Sequence, residues 1–255
     1  MDDSELPLTE HLSELRRRLF FALGTWLVCS GAFGYWAPDV YQVLMGPAVS
    51  AILAKGHTLV SLSPPEIFFT YVKSVLLAGF LTSLPMTLYQ SWAFVAPGLY
   101  AGEKRMAAPF VLATTGLFLG GAAFGYFVAF PFVFDYFLSL EASYVTTSWS
   151  MQNTFAFMWR LYLAFGLAFQ LPVVIFFLSL AGIVTPRQLA RGRIYAIPVL
   201  FFVGAVLTPP DVVSQVMLAL PMILLYELGV AVSAWVVRRR MRRIAKAHSE
   251  ILNSD

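Results

Sequence analysis

The stretch AAPFVLATTGLFLGGAAFGYFVAFPFVF, residues 107–134, decides the fold class because it runs for 28 positions without a charged side chain. A helix needs about 20 apolar residues to cross a membrane, so this stretch predicts a transmembrane helix. The whole chain agrees, since 59% of its 255 residues are hydrophobic, 12% are charged and its mean hydropathy is +0.74. A soluble domain with roughly 25% charged residues is excluded.

Five further apolar stretches flank this one, and the predicted fold is an all-α integral membrane protein of six spans. Prolines in or beside the spans remove backbone donors, so we expect kinked helices in a concave bundle. The fifth span has 15 residues and covers only about 22 Å of a hydrocarbon core about 30 Å thick. The chain divides into an amphipathic N-terminal tail (1–18), a transmembrane domain (19–236) and a basic C-terminal tail (237–255), with spans at about 19–37, 67–96, 107–134, 153–181, 194–208 and 212–236.

The basic residues predict the orientation of the spans. Fourteen of the 17 Lys and Arg lie in the two tails and in the loops 97–106 and 182–193. Cytoplasmic loops carry such an excess, so both termini are predicted to be cytoplasmic. The segments 38–66, 135–152 and 209–211 then lie outside.

Chemistry-bearing motifs are missing from the sequence. Its one cysteine, Cys29, lies in an apolar run, and the three histidines stand in separate segments without metal-ligand spacing. No nucleophile motif, phosphate-binding loop or metal motif is present, so the chain is not expected to be an enzyme, to carry a cofactor or metal, or to bind nucleic acid.

Two glutamates near the cytoplasmic ends of spans carry alternative interpretations. Glu14 lies one helical turn before Arg18. It either pairs with Arg18, in which case the neighbouring arginines only set the topology, or it belongs to a binding site. Glu103 stands where span three begins, and it either satisfies the helix dipole or receives a cation from elsewhere.

Two polar residues lie within spans. Gln170 in span four either lines the membrane face or bonds to a helix or to the carbonyl that Pro172 frees, and Glu227 in span six is either functional or a structural partner of another span. A secondary transporter that couples a small solute to protons through these residues is the alternative function. The chain lacks the internal repeat typical of many such transporters.

Four segments together resemble the signature blocks of the TatC family, the receptor subunit of the twin-arginine protein translocase. They are HLSELRRRL (11–19), SWAFVAPGLYAGEKR (91–105), AFGLAFQLPV (164–173) and LTPPDVVSQ (207–215). The resemblance implies a multi-pass protein of the bacterial inner membrane that is homo-oligomeric within a receptor complex. It also implies binding of Arg-Arg signal peptides of folded proteins, and their export with single-span TatA/TatB-type partners by the proton-motive force.

The resemblance also implies the site residues. Glu14, Arg16 and Glu103 match the signal-peptide site, and the supporting cytoplasmic residues are His11, Phe94, Pro97, Leu99 and Tyr100. Two carboxylates suit two arginines, because a guanidinium is planar, always charged and hydrogen-bonds a carboxylate in a fork. Many family members carry a glutamate at the position of Gln170. The glutamine of this chain cannot titrate.

The turn between spans five and six is expected to receive a partner helix. Thr208, Asp211 and Gln215 lie on either side of this turn, and a polar patch facing lipid would favour a polar partner. The alternative is that Thr208 caps span six and Gln215 bonds within the bundle. Membrane lipids are the remaining expected contact.

Overall fold

The computed structural model describes residues 8–95, 107–141, 147–208 and 211–252. Within them the chain is helical apart from two-residue strands and short turns. Helix α1 spans Leu8–Phe33, and after a single 3-10 turn (Gly34–Trp36) come α2 (Ala37–Ala54), strand β1 (Leu59–Val60) and α3 (Pro64–Val95). The remaining elements are α4 (Ala107–Phe124), a π-helical segment (Gly125–Ala129), α5 (Phe130–Ser139), strand β2 (Trp149–Ser150), α6 (Met151–Ala168), α7 (Leu171–Leu180), α8 (Pro186–Arg191), α9 (Arg193–Leu207) and α10 (Val212–Leu252).

Six apolar helical segments correspond to the six predicted spans. Five are long enough to cross a membrane, and the sixth is the shorter Arg193–Leu207, as the sequence predicted. The all-α membrane fold class is therefore confirmed. The five long segments are Leu12–Ala54, Pro64–Phe94, Pro109–Ser139, Met151–Leu180 and Val212–Arg239.

Several helices of the structure begin or end away from the predicted span boundaries. Span one ends as a helix at Phe33 and not at residue 37, and the segment predicted to follow it contains α2. Proline is tolerated in the first turn of that helix, because a backbone N–H at this position would have no intrahelical acceptor and its absence costs nothing. Span three continues through a π segment to Ser139, and α10 continues through most of the basic tail to Leu252. Span four breaks at residues 169–170 between α6 and α7.

The described chain forms two compact units, residues 1–119 with 130–159, and residues 120–129 with 160–255. In the first unit α1 packs along α3. The Trp26 indole donates to the Leu76 carbonyl at 2.8 Å. A Cβ on Gly79 would lie 2.7 Å from the Ser30 backbone and closer still to its Oγ, so only glycine permits this approach.

A buried carboxylate ties the ends of two helices in the first unit. The Glu66 side chain is in the first turn of α3 and accepts hydrogen bonds from the Leu62 N–H (2.6 Å), the Ser150 hydroxyl (2.8 Å) and the Gln152 N–H (2.9 Å). Strands β1 and β2 pair in parallel beside it. Because Glu66 is only 5% exposed, these bonds replace water and hold the start of α6 against α3.

A second pair joins loops at the same end of this unit. His57 Nε2 lies 2.7 Å from Glu141 Oε2 and forms an ion pair when the imidazole is protonated. Hydrogen bonding by Thr147 and the charge of His57 hold the pKa of the Glu141 carboxyl below its usual range. This pair links the loop after α2 to the end of α5.

In the second unit α7 and α8 pack on α10. The Ser179 hydroxyl donates to Ser233 at 2.7 Å, and the Tyr226 hydroxyl donates to the Leu189 carbonyl at 2.7 Å. Thr185 begins α8 with a capping box, in which its side chain accepts from the Gln188 N–H. The short α8 is therefore held at both its cap and its middle.

Candidate functional site

The N-terminal part of α1 presents an ion pair between Glu14 and Arg18. The Arg18 Nε donates to Glu14 Oε1 at 3.0 Å, and its Nη2 contacts the same oxygen. Residues four apart lie on one face of a helix, so the local fold alone brings the two together. The side chains are 33% and 23% exposed respectively, so solvent reaches the pair and weakens it.

Helix α3 supplies a third polar group. The Nη1 of Arg18 donates to the Gln90 side-chain oxygen at 3.3 Å. The three residues line a cleft of about 300 Å³ together with Arg17, Phe21 and Met86. The Arg17 guanidinium carbon lies 5.9 Å from the centre of the Phe21 ring, which is within cation–π range.

This arrangement is chemically suited to guanidinium groups. A carboxylate and an amide oxygen accept from different nitrogens of one planar guanidinium, as Arg18 shows. Lysine carries a single ammonium and does not reproduce this spread of donors. Among the described residues, no group of three or more His, Cys, Asp or Glu is arranged to hold a metal ion.

Of the predicted cytoplasmic site residues whose side chains the structure describes, only Glu14 lines this cleft. Arg16 is exposed on α1 and makes no ion pair with a residue that the structure describes. Phe94 is half-buried in the last turn of α3. His11 is within α1, but its side chain lies outside the described part of the chain, and so do residues Pro97, Leu99, Tyr100 and Glu103.

Three residues of the cleft, Phe21, Met86 and Gln90, were not predicted from the sequence. Met86 and Gln90 lie one helical turn apart on α3 and face Arg18 across the cleft. Gln90 immediately precedes the quoted block 91–105, and a polar residue near the end of a span was the available signal. Its partner is 72 positions away, so spacing did not reveal the contact.

The two intramembrane polar residues have different surroundings. Gln170 is half-buried at the break between α6 and α7, where its carbonyl accepts from the N–H groups of Val173 and Val174 at 3.0 Å. Glu227 forms a two-point pair with Arg193, from Nε at 2.7 Å and from Nη2 at 2.8 Å. Glu227 thus has the partner on another span that the sequence analysis gave as one alternative.

The described residues on either side of positions 209–210 bond within α9 and α10. Thr208 is 6% exposed and its hydroxyl donates back to the Gly204 carbonyl at 2.9 Å. Asp211 caps α10 by accepting from the Ser214 N–H at 2.6 Å, so the alternative that Thr208 is the cap is wrong. The Gln215 amide donates to the Phe201 carbonyl at 3.1 Å, within the α9–α10 hairpin, as the same alternative expected.

Comparisons with known proteins agree on one family. The family model described as "Sec-independent protein translocase protein (TatC)" matches residues 10–221. The TatC protein of Haemophilus influenzae is 40% identical over 231 residues, covering 91% of this chain and 90% of that protein. The TatC protein of Aquifex aeolicus is 38% identical over 244 residues, covering 95% and 100% respectively. A crystal structure of the twin arginine translocase receptor TatC aligns with a TM-score of 0.76 at 37% identity, covering 89% of this chain and 99% of that one.

Proposed function

The chain belongs to the TatC family of Sec-independent protein translocase proteins, and from that premise we propose that it binds the twin-arginine signal peptides of folded proteins at its cytoplasmic face. The chain is then a multi-pass receptor and scaffold in the bacterial inner membrane. It is homo-oligomeric within a receptor complex and works with single-span TatA/TatB-type subunits. Export draws on the proton-motive force, without catalysis by this chain.

The guanidinium held by Glu14 and Gln90 is the observation that carries the proposal. A cleft that already holds one arginine side chain through a carboxylate and an amide oxygen has the chemistry needed to hold an arginine of a signal peptide. Glu103 is proposed as the second acid on the strength of the family resemblance. Arg16 is proposed to belong to the same site.

Peptide binding tests this proposal directly. We expect the purified full-length chain to bind an Arg-Arg signal peptide more tightly than its Lys-Lys counterpart, measured by fluorescence anisotropy. Glu14→Gln keeps the shape and removes the charge, so it should weaken binding about tenfold, which corresponds to about 1.4 kcal/mol. Glu227→Gln is the matched control, because it also neutralises a carboxylate paired with an arginine, in the other unit.

Two results would contradict the assignment. Unchanged affinity in both Glu14→Gln and Glu103→Gln would show that neither carboxylate binds the signal peptide. Equal affinity for the Arg-Arg and Lys-Lys peptides would remove guanidinium recognition altogether.

The alternative of a proton-coupled solute transporter draws no support from Glu227. Its carboxylate is engaged by the Arg193 guanidinium at two points. Solute uptake by the chain alone in liposomes would revive this alternative.

Partner docking is proposed at the α9–α10 turn, on the basis of the resemblance. Phe202 and Val206 on α9 are each 69% exposed, so an apolar face adjoins the polar turn. Cysteines at positions 208 and 215, on a Cys29→Ala background, should form disulfides with a single-span TatA/TatB-type partner. A cysteine at Leu27 on the exposed face of α1 is the comparison, and crosslinks from Leu27 alone would refute docking at this turn.

Gln170 is proposed to act through hydrogen bonds and not through a charge. Gln170→Glu should therefore preserve export, whereas Gln170→Leu should reduce export more than it reduces stability. Full export by Gln170→Leu would make the residue dispensable.

The energy source of export is tested in the same assay. Collapse of the proton gradient should stop export, while ATP depletion alone should not.

The proposed orientation has its own test. Cysteines introduced at positions 103 and 191 on the Cys29→Ala background should be shielded from an impermeant thiol reagent in intact cells. Strong external labelling at either position would overturn the topology.

A further inference from the structure

The guanidinium site in the cleft is already occupied by the chain's own Arg18. This side chain reaches both acceptors of the cleft, the Glu14 carboxylate and the Gln90 amide oxygen. Two nitrogens of Arg18 occupy Glu14 Oε1, so an incoming arginine of a signal peptide competes for that oxygen. Two guanidinium groups near one carboxylate also repel each other at short range.

The neighbouring arginines do not share this position. Arg17 lines the cleft but lies against the Phe21 ring, with its guanidinium carbon 5.9 Å from the ring centre. Arg16 is exposed and unpaired among the described residues. Arg17 and Arg18 follow Glu14 by three and four residues, so helical spacing brings both within reach of it, but among the described residues only Arg18 is paired with Glu14.

We infer that Arg18 is an internal stand-in for a signal-peptide arginine, so that binding is an exchange in which Arg18 leaves Glu14 as the peptide guanidinium arrives. The inference rests on the proposed function, because it concerns the same site. In the empty receptor the stand-in keeps the Glu14 carboxylate paired. Releasing Arg18 lowers the affinity for every ligand by the same factor, and a ligand guanidinium offsets this loss because it forms its own hydrogen bonds to Glu14.

Partial exposure makes the exchange feasible. Both side chains reach solvent, at 23% for Arg18 and 33% for Glu14, and ion pairs of this kind are worth about 0.2–1 kcal/mol. Releasing Arg18 therefore changes affinity by a factor of about 1.4 to five, since tenfold corresponds to about 1.4 kcal/mol. Releasing Arg18 from a fully buried pair would cost more free energy and would prevent the exchange.

Removal of the stand-in tests the inference. Arg18→Gln should bind the Arg-Arg peptide about 1.4- to fivefold more tightly than the unaltered chain. Arg17→Gln removes the same charge one residue away without freeing Glu14, so its gain measures the general electrostatic effect and should be smaller. The gain of Arg18→Gln should vanish on a Glu14→Gln background, because no carboxylate remains to be freed.

A second variant keeps the charge of the cleft. Arg18→Lys retains the positive charge but not the fork, so it should bind the Arg-Arg peptide more tightly than the unaltered chain and less tightly than Arg18→Gln. Equal affinities of Arg18→Gln and Arg17→Gln, or a weakened Arg18→Gln that folds normally by circular dichroism, would overturn the inference. If the unaltered chain fails to distinguish Arg-Arg from Lys-Lys peptides, the proposed function itself fails, which is a separate outcome.

Discussion

Substitution of Gly79 by alanine should disturb the packing of α1 on α3 and, through it, the cleft. The added Cβ would lie 2.7 Å from the Ser30 backbone and closer still to the Ser30 hydroxyl, so the helices must separate. Overpacking of this kind costs about 1–3 kcal/mol. Alanine returns about 1 kcal/mol of helix propensity, which leaves a net loss of up to about 2 kcal/mol.

The measurement is thermal unfolding in detergent together with Arg-Arg peptide affinity. Helices α1 and α3 carry Glu14 and Gln90 respectively, so a forced separation should weaken both stability and binding. Gly24→Ala is the matched control, because a Cβ there meets nothing within 4 Å, and it should be neutral or stabilising. Gly79→Ala that is as stable as Gly24→Ala would refute this account of the close approach.

Three further predictions concern the ion pairs and the buried carboxylate. Glu66→Ala should speed amide hydrogen exchange severalfold at positions 62 and 152, because these amides lose their acceptor. Glu66→Gln should have a smaller effect. Unchanged exchange in both variants would contradict the role of Glu66 in holding the two helix ends together. Since the pKa of Glu141 is lowered in the folded chain, its stabilisation is complete above the ordinary glutamate value of about 4.3 and is lost as pH falls through the lower folded value. The thermal unfolding temperature between pH 3 and 6 should therefore depend less on pH in Glu141→Gln than in His57→Gln. Equal pH dependence in the two variants would contradict stabilisation by the Glu141 carboxylate. A double-mutant cycle of Arg193→Gln and Glu227→Gln should give a coupling of about 0.5–3 kcal/mol, because the two side chains contact each other at two points, and the absence of any coupling would contradict the pair.

The spans were predictable because hydropathy reports directly which segments avoid water. Even the short α9 was placed to within one residue, since Arg193 and the stop after Thr208 bound it closely. Helix α2 was missed because Pro38 was interpreted as an end, whereas a proline in the first turn begins a helix equally well.

The candidate site was predictable only where it is local. The contact between Glu14 and Arg18 follows from helical spacing and is one of the two alternatives predicted for Glu14. The contact with Gln90 depends on how α1 packs on α3, which no spacing encodes. The two alternatives for Glu14 therefore need not compete, because pairing with Arg18 is itself how the cleft holds a guanidinium.

Helix α10 has a mechanical consequence that follows from its length. It runs unbroken for 41 residues, about 60 Å, and continues well past the last apolar turn at Arg239. Pro221 lies inside it and removes one backbone hydrogen bond, so bending is easiest there. From Pro221 to Leu252 the helix is a lever arm of about 46 Å, and a tilt of about 10° at the proline would swing its far end by about 8 Å. A small movement within the membrane thus becomes a displacement larger than the width of a side chain at the C-terminal end of the rod.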